Sequence, residues 1–289
     1  FMDVPAGDIG VGGREIGYLF GQYKRIRDSF DGGVLTGKGL SFGGSLTRNE
    51  ATGYGLCYLT EEMLHCMKQE SLQGKRVAIS GSGNVAIFAC QKAQELGARV
   101  ITMSDSNGCI YDPEGIRLDV VKDIKLRRRG RIREYAQLVP GSESRSDFQD
   151  LWSVPCDVAL PCATQNEIDA ETARRIVRGG AMALAEGANM PSTPAAIEVL
   201  REGGVLFAPA KAANAGGVAV SGLEMCQNSM RLAWTFDEVD QRLHQIMLDI
   251  FHNIYDASVE YGVPGNLLDG ANIAGFRKVA DAMLAQGVC

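Results

Sequence analysis

Between Lys75 and Ala86 a short apolar run, Lys75 to Ser80, leads straight into Gly81-Ser82-Gly83-Asn84-Val85-Ala86 and then into a helical pattern. Few backbones accept that order. A buried strand that meets two glycines and restarts at once as a helix must turn tightly at Gly81. It must also stay bare at Gly83 and put a small residue, Ala86, where helix packs on strand. The free N–H groups that open the helix then point out of the turn and make it a seat for an anion. This is the pattern of a dinucleotide-binding turn, although the glycines alone also fit a strand-to-helix turn that holds no ligand. The surroundings complete the unit. Val85, Ala89, Ala93 and Leu96 recur at helical spacing, Gly97 ends the helix, and Arg99 to Met103 is a second run of strand length. Asp105 follows Ala86 by about the twenty residues at which a carboxylate meets the adenosine ribose.

The alternation continues downstream. Cys156 to Leu160, Ala181 to Ala185 and Val205 to Ala208 are short apolar runs separated by helical patterns at Asp169 to Arg178 and Pro194 to Glu202. Strand and helix repeating with short loops predict an α/β fold, a doubly wound, Rossmann-like parallel sheet with flanking helices. Before it, a helix is expected with Ile16, Leu19, Phe20, Tyr23 and Ile26 on one face. A glycine-dense passage from Gly32 to Gly55 follows, overlapping a long helix from Ala51 toward Gln69. After Asn214 only helices are expected. Thr235-Phe236-Asp237-Glu238 reads as a capping box, and Phe236, Val239, Leu243, Ile246, Met247, Ile250 and Ile254 form one stripe for core packing.

With 289 residues, 45% hydrophobic and 22% charged, the chain can bury a large core in two lobes. A net charge of −6 argues against nucleic acid or an anionic membrane surface as partner. No run approaches the roughly 18 apolar residues of a membrane span, and the first residues lack the layout of a signal peptide, so cytoplasm or an organelle matrix is expected. The cysteines (Cys57, Cys66, Cys90, Cys109, Cys156, Cys162, Cys226, Cys289) are scattered, mostly in apolar stretches, and read as reduced core fillers. Neither they nor His65, His244 and His252 are grouped at ligand spacing, so no metal site is expected, and His244 and His252 are placed on a helix surface.

Three segments carry candidate chemistry. Asp8, on the bend Pro5-Ala6-Gly7-Asp8 beside a cleft, is a candidate acid or base, its pKa raised by partial burial. Asn214, beyond the run at Val205, is placed at the carboxyl edge of the sheet. The basic cluster Lys125, Arg127, Arg128, Arg129, Arg131 and Arg133 has two readings, a solvated helix end or a phosphate clamp. In the second, Lys125 with Ser104 and Ser106 neutralises a 2′-phosphate and favours NADP. Asp105 alone argues the other way, because a carboxylate binds the ribose hydroxyls of NAD and repels a phosphate.

Taken together, these segments carry a resemblance that single motifs do not. The string Asp3-Val4-Pro5-Ala6-Gly7-Asp8-Ile9-Gly10-Val11-Gly12-Gly13-Arg14-Glu15-Ile16-Gly17-Tyr18 is joined by Arg48-Asn49-Glu50-Ala51-Thr52-Gly53-Tyr54-Gly55, Pro161 to Glu167, Glu186 to Pro191 and Asn214 to Ser229. Along its whole length the chain resembles the hexameric glutamate dehydrogenases. It looks most like their NADP-dependent branch, whose pattern includes Ser104-Asp105-Ser106 and a basic residue at Lys125.

The resemblance implies reversible oxidative deamination of L-glutamate to 2-oxoglutarate and ammonium with NADP, NAD being the less favoured carrier. Asp8 is implied as the proton-transfer carboxylate, and Val218 and Ser221 as contacts of the glutamate side chain. Thr52, Asn84, Asn189 and Asn214 are implied on the nicotinamide side, and Ser82 and Asn84 at the pyrophosphate. Ser104, Asp105 and Lys125 belong at the 2′-phosphate, and Gly81, Gly83, Val85, Ala163 and Thr164 complete the cofactor contacts. It divides the chain into residues 1–47, the end of a substrate domain and linker, 48–215, the dinucleotide domain, and 216–289, helices packing toward the substrate domain. The family's first substrate domain and its substrate-binding lysines have no match here, and Lys38, in the context of a later segment, is not one of them. The chain therefore reads as the C-terminal two-thirds of a subunit that is hexameric in the family. Its loss of that domain would expose apolar faces on the first and last helices. A dinucleotide-binding fragment without turnover, or a relative acting on leucine, valine or phenylalanine, are the alternatives.

Overall fold

The computed structural model describes residues 3–8 and 10–287, so Ile9 of the quoted motif and Cys289 lie outside the described residues. Helix α1 (Gly13–Arg27) precedes the glycine-dense passage, and α2 (Ala51–Lys68) leads to β1 (Arg76–Ile79), α3 (Asn84–Glu95) and β2 (Arg99–Asp105). A hairpin then brings β3 (Gly108–Tyr111) back beside β2. Helix α4 (Leu118–Lys122) runs into a π-helical turn at Asp123–Arg127, followed by α5 (Tyr135–Leu138) and β4 (Glu143–Arg145). Strands β5 (Val158–Leu160), β6 (Ala183–Ala185) and β7 (Leu206–Ala208) alternate with α6 (Ala170–Arg178) and α7 (Pro194–Glu202). Helices α8 (Ala210–Ala213), α9 (Gly216–Met230), α10 (Phe236–Glu260) and α11 (Leu267–Gln286) complete the chain.

The sheet has seven strands in the order β4-β3-β2-β1-β5-β6-β7. Strands β2, β1, β5, β6 and β7 run parallel, as expected, and β3 and β4 add an antiparallel edge that periodicity did not reveal. The central strands read as unbroken apolar runs because both faces are covered. Val77, Ile79, Val158, Leu160, Ala183 and Ala185 join one core with α2, α3 and α10, whereas Ala78, Ala159 and Leu184 join another with Trp152, Ile176 and Leu200. From β1 the chain winds one way to β2 and later returns on the other side at β5. The crevice at the carboxyl ends of β1 and β5 is therefore the switch point where open α/β sheets take ligands.

Glycine sets how closely the helices approach that crevice. A Cβ at Gly53 would lie 2.4 Å from the amide nitrogen of Ala89, and one at Gly216 would lie 2.1 Å from the carbonyl of Ala51. Helix α2 thus touches α3 and α9 backbone to backbone, with no room for a side chain at either crossing.

Two expectations need correction. Ile16 and Phe20 of α1 are buried, but Leu19 and Ile26 are exposed with Tyr18, so the helix has two apolar faces and only one packs within the chain. Cys57, Cys90, Cys109, Cys156 and Cys162 are buried as fillers, whereas Cys66 and Cys226 are exposed. The capping box at Thr235 forms, its hydroxyl accepting the Glu238 N–H at 3.3 Å; of the α10 stripe, Val239, Leu243, Met247 and Ile254 are buried, with Phe251 joining them, and Phe236, Ile246 and Ile250 are half-buried. No helix among the described residues is long and apolar enough to cross a membrane.

Candidate active site

At the end of β1 the chain turns through Gly81, with φ +84, a conformation that suits glycine. A Cβ there would come within 2.9 Å of the Cys162 carbonyl, so the loop after β5 presses on the turn. Buried Ser104, at the end of β2, accepts the Gly81 N–H on its hydroxyl at 2.8 Å and fixes the turn from the other side. Gly83 is different. Beyond its neighbours in the chain, no atom of the described residues lies within 4 Å of where its Cβ would stand, so its open side is free for another molecule to reach the helix N-terminus. Ala86 is fully buried against the sheet, as the turn pattern requires.

The turn opens onto a cavity of about 820 Å³ whose lining includes Asp8, Arg48, Thr52, Asn84, Val85 and Ala163. Residues from the first bend, the start of α2, the start of α3 and the loop after β5 thus meet at the switch point. Asp8 is exposed, not partly buried as expected. Its own carbonyl accepts the Val11 N–H at 2.8 Å, which closes the bend that presents it. Arg48 belongs to a motif in which its sequence context assigns it no role. Its guanidinium Nε is buried and has no hydrogen-bond partner among the described residues. A buried donor left unpaired costs about 1–3 kcal/mol, and an anion in the cavity would recover it. Nothing in the spacing of the sequence signals this, because the burial comes from how the loop folds.

Two buried carboxylates support the loops around the site. Glu186, at the end of β6, accepts the Ser192 N–H at 3.1 Å and the Ala210 N–H at 2.8 Å. It thereby holds the loop carrying Asn189 and the start of α8, and Asn214 beyond α8 donates to Asn189 at 2.7 Å. Glu167 lies under the loop of Ala163 and Thr164, accepting from the Ser80 hydroxyl at 2.9 Å and the Ala163 N–H at 3.3 Å. Burial pushes its carboxyl up to about 7, outweighing those hydrogen bonds. The folded group keeps its proton up to about pH 7, whereas an unfolded one loses it near 4.5. This contribution to stability is therefore full below the unfolded pKa and lost as pH rises through the folded one. Glu167→Gln is expected to abolish that slope and to be the more stable form at alkaline pH, by on the order of 2–3 kcal/mol. Parallel denaturant titrations of both proteins between about pH 5 and 8 check this, and identical slopes would refute it.

Asp105 and Lys125 are brought together, with Lys125 Nζ 2.8 Å from Asp105 Oδ2. The same oxygen accepts the Ile132 N–H at 2.9 Å. Burial raises the Asp105 pKa, but the Lys125 hydrogen bond and the N–H groups of Ile132 and Asn107 outweigh it, so its carboxyl sits below the usual carboxylate range. Arg131 donates to the Ser106 hydroxyl at 3.2 Å and Arg133 to the Asn107 side-chain Oδ1 at 3.4 Å. The carboxylate is thus already matched by one cation, and two more stand over the β2–β3 turn. The remaining residues lie apart from the cavity lining: Ser82 is buried, Thr164 is exposed, and on α9 Val218 is 77% exposed while Ser221 is buried. A Cβ at Gly217 would stand 2.6 Å from the Thr52 hydroxyl, so α9 begins against the cavity wall.

Comparison with known proteins places this geometry. The family model described as Glutamate/Leucine/Phenylalanine/Valine dehydrogenase matches residues 43–287. The chain is 56% identical over 297 residues to the NADP-specific glutamate dehydrogenase of Escherichia coli K12. It is 53% identical over 289 residues to an NAD(P)-specific glutamate dehydrogenase of Xylanibacter ruminicola. Each alignment takes in 99% of this chain and 64% of the relative, so the chain spans less than two thirds of their length. The crystal structure of Plasmodium falciparum glutamate dehydrogenase superposes with a TM-score of 0.95 at 46% identity, over 99% of this chain and 62% of that one.

Proposed function

Because this chain belongs to the glutamate/leucine/phenylalanine/valine dehydrogenase family, we propose that it forms the dinucleotide side of an NADP-dependent glutamate dehydrogenase. The reaction is the reversible oxidative deamination of L-glutamate to 2-oxoglutarate and ammonium. The observation that carries the reading is the shared cavity, which joins the open glycine turn to Asp8, Arg48 and Thr52.

The residues present fit a dinucleotide. Gly83 leaves the helix N-terminus bare for the pyrophosphate, and Thr52, Asn84, Val85 and Ala163 line the cavity beside it; the same reading takes Gly81, Ser82 and Thr164 as further cofactor contacts and puts Asn189 and Asn214 on the nicotinamide side. When bound, the dinucleotide gives or takes the hydride. The chain orients the reactants and moves protons: Asp8 exchanges them with the substrate nitrogen and oxygen, the unpartnered Arg48 donor meets a substrate carboxylate, and Val218 and Ser221 contact the side chain.

The paired Asp105 supports NADP. With Lys125 neutralising the carboxylate and Arg131 and Arg133 beside the turn, the site carries net positive charge for a 2′-phosphate. Lys125→Ala removes one cation and frees a carboxylate at once. It is expected to weaken NADP binding by about 1.5–3 kcal/mol and to leave NAD nearly unchanged. Equal losses for both dinucleotides by calorimetry would sink the clamp.

The test of the activity is NADPH oxidation in 2-oxoglutarate and ammonium, with NADPH binding measured in parallel. Turnover supports the full reading. Tight binding without turnover leaves the chain a dinucleotide module, and absence of both removes the proposal. Assembly as a homo-hexamer in the whole protein is part of the same reading. It is supported by the exposed Tyr18 and Leu19 of α1 and Phe276, Val279, Met283 and Leu284 of α11, apolar surface with no cover within this chain. Sedimentation of the full-length protein as a monomer would contradict it.

A further inference from the structure

We propose that Glu62, Cys66 and His252 form a binding site for one thiophilic divalent cation, zinc above all, which clips α2 to α10. Spacing along the chain argues against any metal site, because the three ligands stand in segments far apart and no two Cys or His residues share a motif. The fold brings them together. Glu62 and Cys66 are one helical turn apart on α2, so they share a face, and α10 packs across that face with His252 pointing at it.

The distances are those of a site one small adjustment from closure. His252 Nε2 stands 2.9 Å from Glu62 Oε1, Cys66 Sγ stands 3.2 Å from the same oxygen, and all three donor atoms lie within 4.8 Å of one another. A tetrahedral zinc with one sulfur, one nitrogen and one oxygen ligand spaces them by about 3.3–3.7 Å. Thiol, imidazole and carboxylate are the three side-chain types zinc accepts, and three protein ligands leave a fourth corner for water. The site is reachable, since Cys66 is exposed and the His252 side chain is 48% exposed. Among the described residues this is the only such group of three.

Both other groups already converge on one carboxylate oxygen: the Cys66 thiol donates to Glu62 Oε1, and His252 Nε2 stands against the same atom. A divalent cation at the centre makes all three groups ligands. It displaces the thiol proton to solvent and forms a metal–sulfur bond with no change of oxidation state. None of the three residues lines the dinucleotide cavity, so the site stands whether or not the proposed activity does.

Cobalt(II) is the probe, titrated into the reduced chain and followed by its thiolate-to-metal charge-transfer absorption. The expected result is one equivalent bound with that band present and displaced by zinc. C66S is expected to abolish the band and lower affinity at least ~10-fold, and H252Q to lower affinity while keeping thiolate absorption. C226S, at the other exposed cysteine, is expected to behave as wild type. Zinc should also raise the melting temperature of the wild type and not that of C66S. Absence of stoichiometric cobalt binding, a band that survives C66S, or affinity unchanged in H252Q would each overturn the proposal. The two substitutions lie on different helices at the surface, so a folding defect in one leaves the other to decide.

Discussion

Asp8→Asn, placed in protein that oxidises NADPH with 2-oxoglutarate and ammonium, is expected to lower kcat about 10²–10⁴-fold, the usual contribution of a positioned acid–base group. The substitution keeps shape and removes the carboxylate proposed to give and take the proton. The bend that presents Asp8 does not depend on its carboxylate. It is closed by the Val11 N–H on the Asp8 carbonyl, and the Thr36 N–H pins the neighbouring Pro5 carbonyl at 3.0 Å. A Cβ at Gly7 would meet the Val11 carbonyl at 2.8 Å, so the bend has little freedom to rearrange. NADPH affinity is expected to stay within a few-fold, because the turn and the Asp105–Lys125 pair are untouched. Activity near that of the wild type would take Asp8 out of the mechanism.

Lys38→Met is expected to cost about 3–5 kcal/mol of stability, the scale of breaking a buried ion pair from one side. Lys38 and Glu224 are both fully buried in their side chains and meet at 2.5 Å. Lys38 also donates to the Leu35 carbonyl, and Glu224 accepts the Gly37 N–H at 3.0 Å and the Lys38 N–H at 3.3 Å. Removing the lysine leaves Glu224 in the interior with two backbone amides and the charge of the nearby Arg48 guanidinium to answer it. Adding Glu224→Leu to Lys38→Met should recover a large part of the loss, since an apolar pair of similar volume often replaces a buried salt bridge at little cost. Denaturant melts of the two single variants and the double variant measure the coupling. Additive losses would show that the pair does not act as a unit. The arrangement also explains why Lys38 belongs to the architecture and not to the substrate.

The parallel strands were legible because each buries both faces, and so each reads as a plain apolar run between helical patterns. The edge hairpin was not. Gly108 to Tyr111 is too short to show a period, and Glu143 to Arg145 is polar because an edge strand faces solvent. Sequence singled out the turn, Asp8, Asp105 and Lys125 as residues to look at, and the fold sets Asp8 on the cavity wall and Lys125 against Asp105. It could not foresee that Asp105 would be answered by Lys125 instead of facing a ribose unpaired. It also missed the stranded Arg48 donor and the grouping of Glu62, Cys66 and His252, which exist only once distant helices have packed. On α1, periodicity marked five apolar residues without saying which of them find partners in this chain, and Leu19 and Ile26 do not.

The Lys38–Glu224 contact joins positions 186 residues apart, and between them lies the whole sheet. Closing a loop of that length costs entropy, so the glycine-dense passage lacks its buried ion pair until β1 to β7 have assembled and α9 is in place. The bend of Asp8, tied to this passage by the Thr36 N–H on the Pro5 carbonyl, is therefore expected to settle at the close of folding. Pulse-labelled hydrogen exchange reads this directly at the Gly37 and Lys38 amides. They should gain protection in the slowest phase, and protection before the amides of β1 would show that the passage orders on its own.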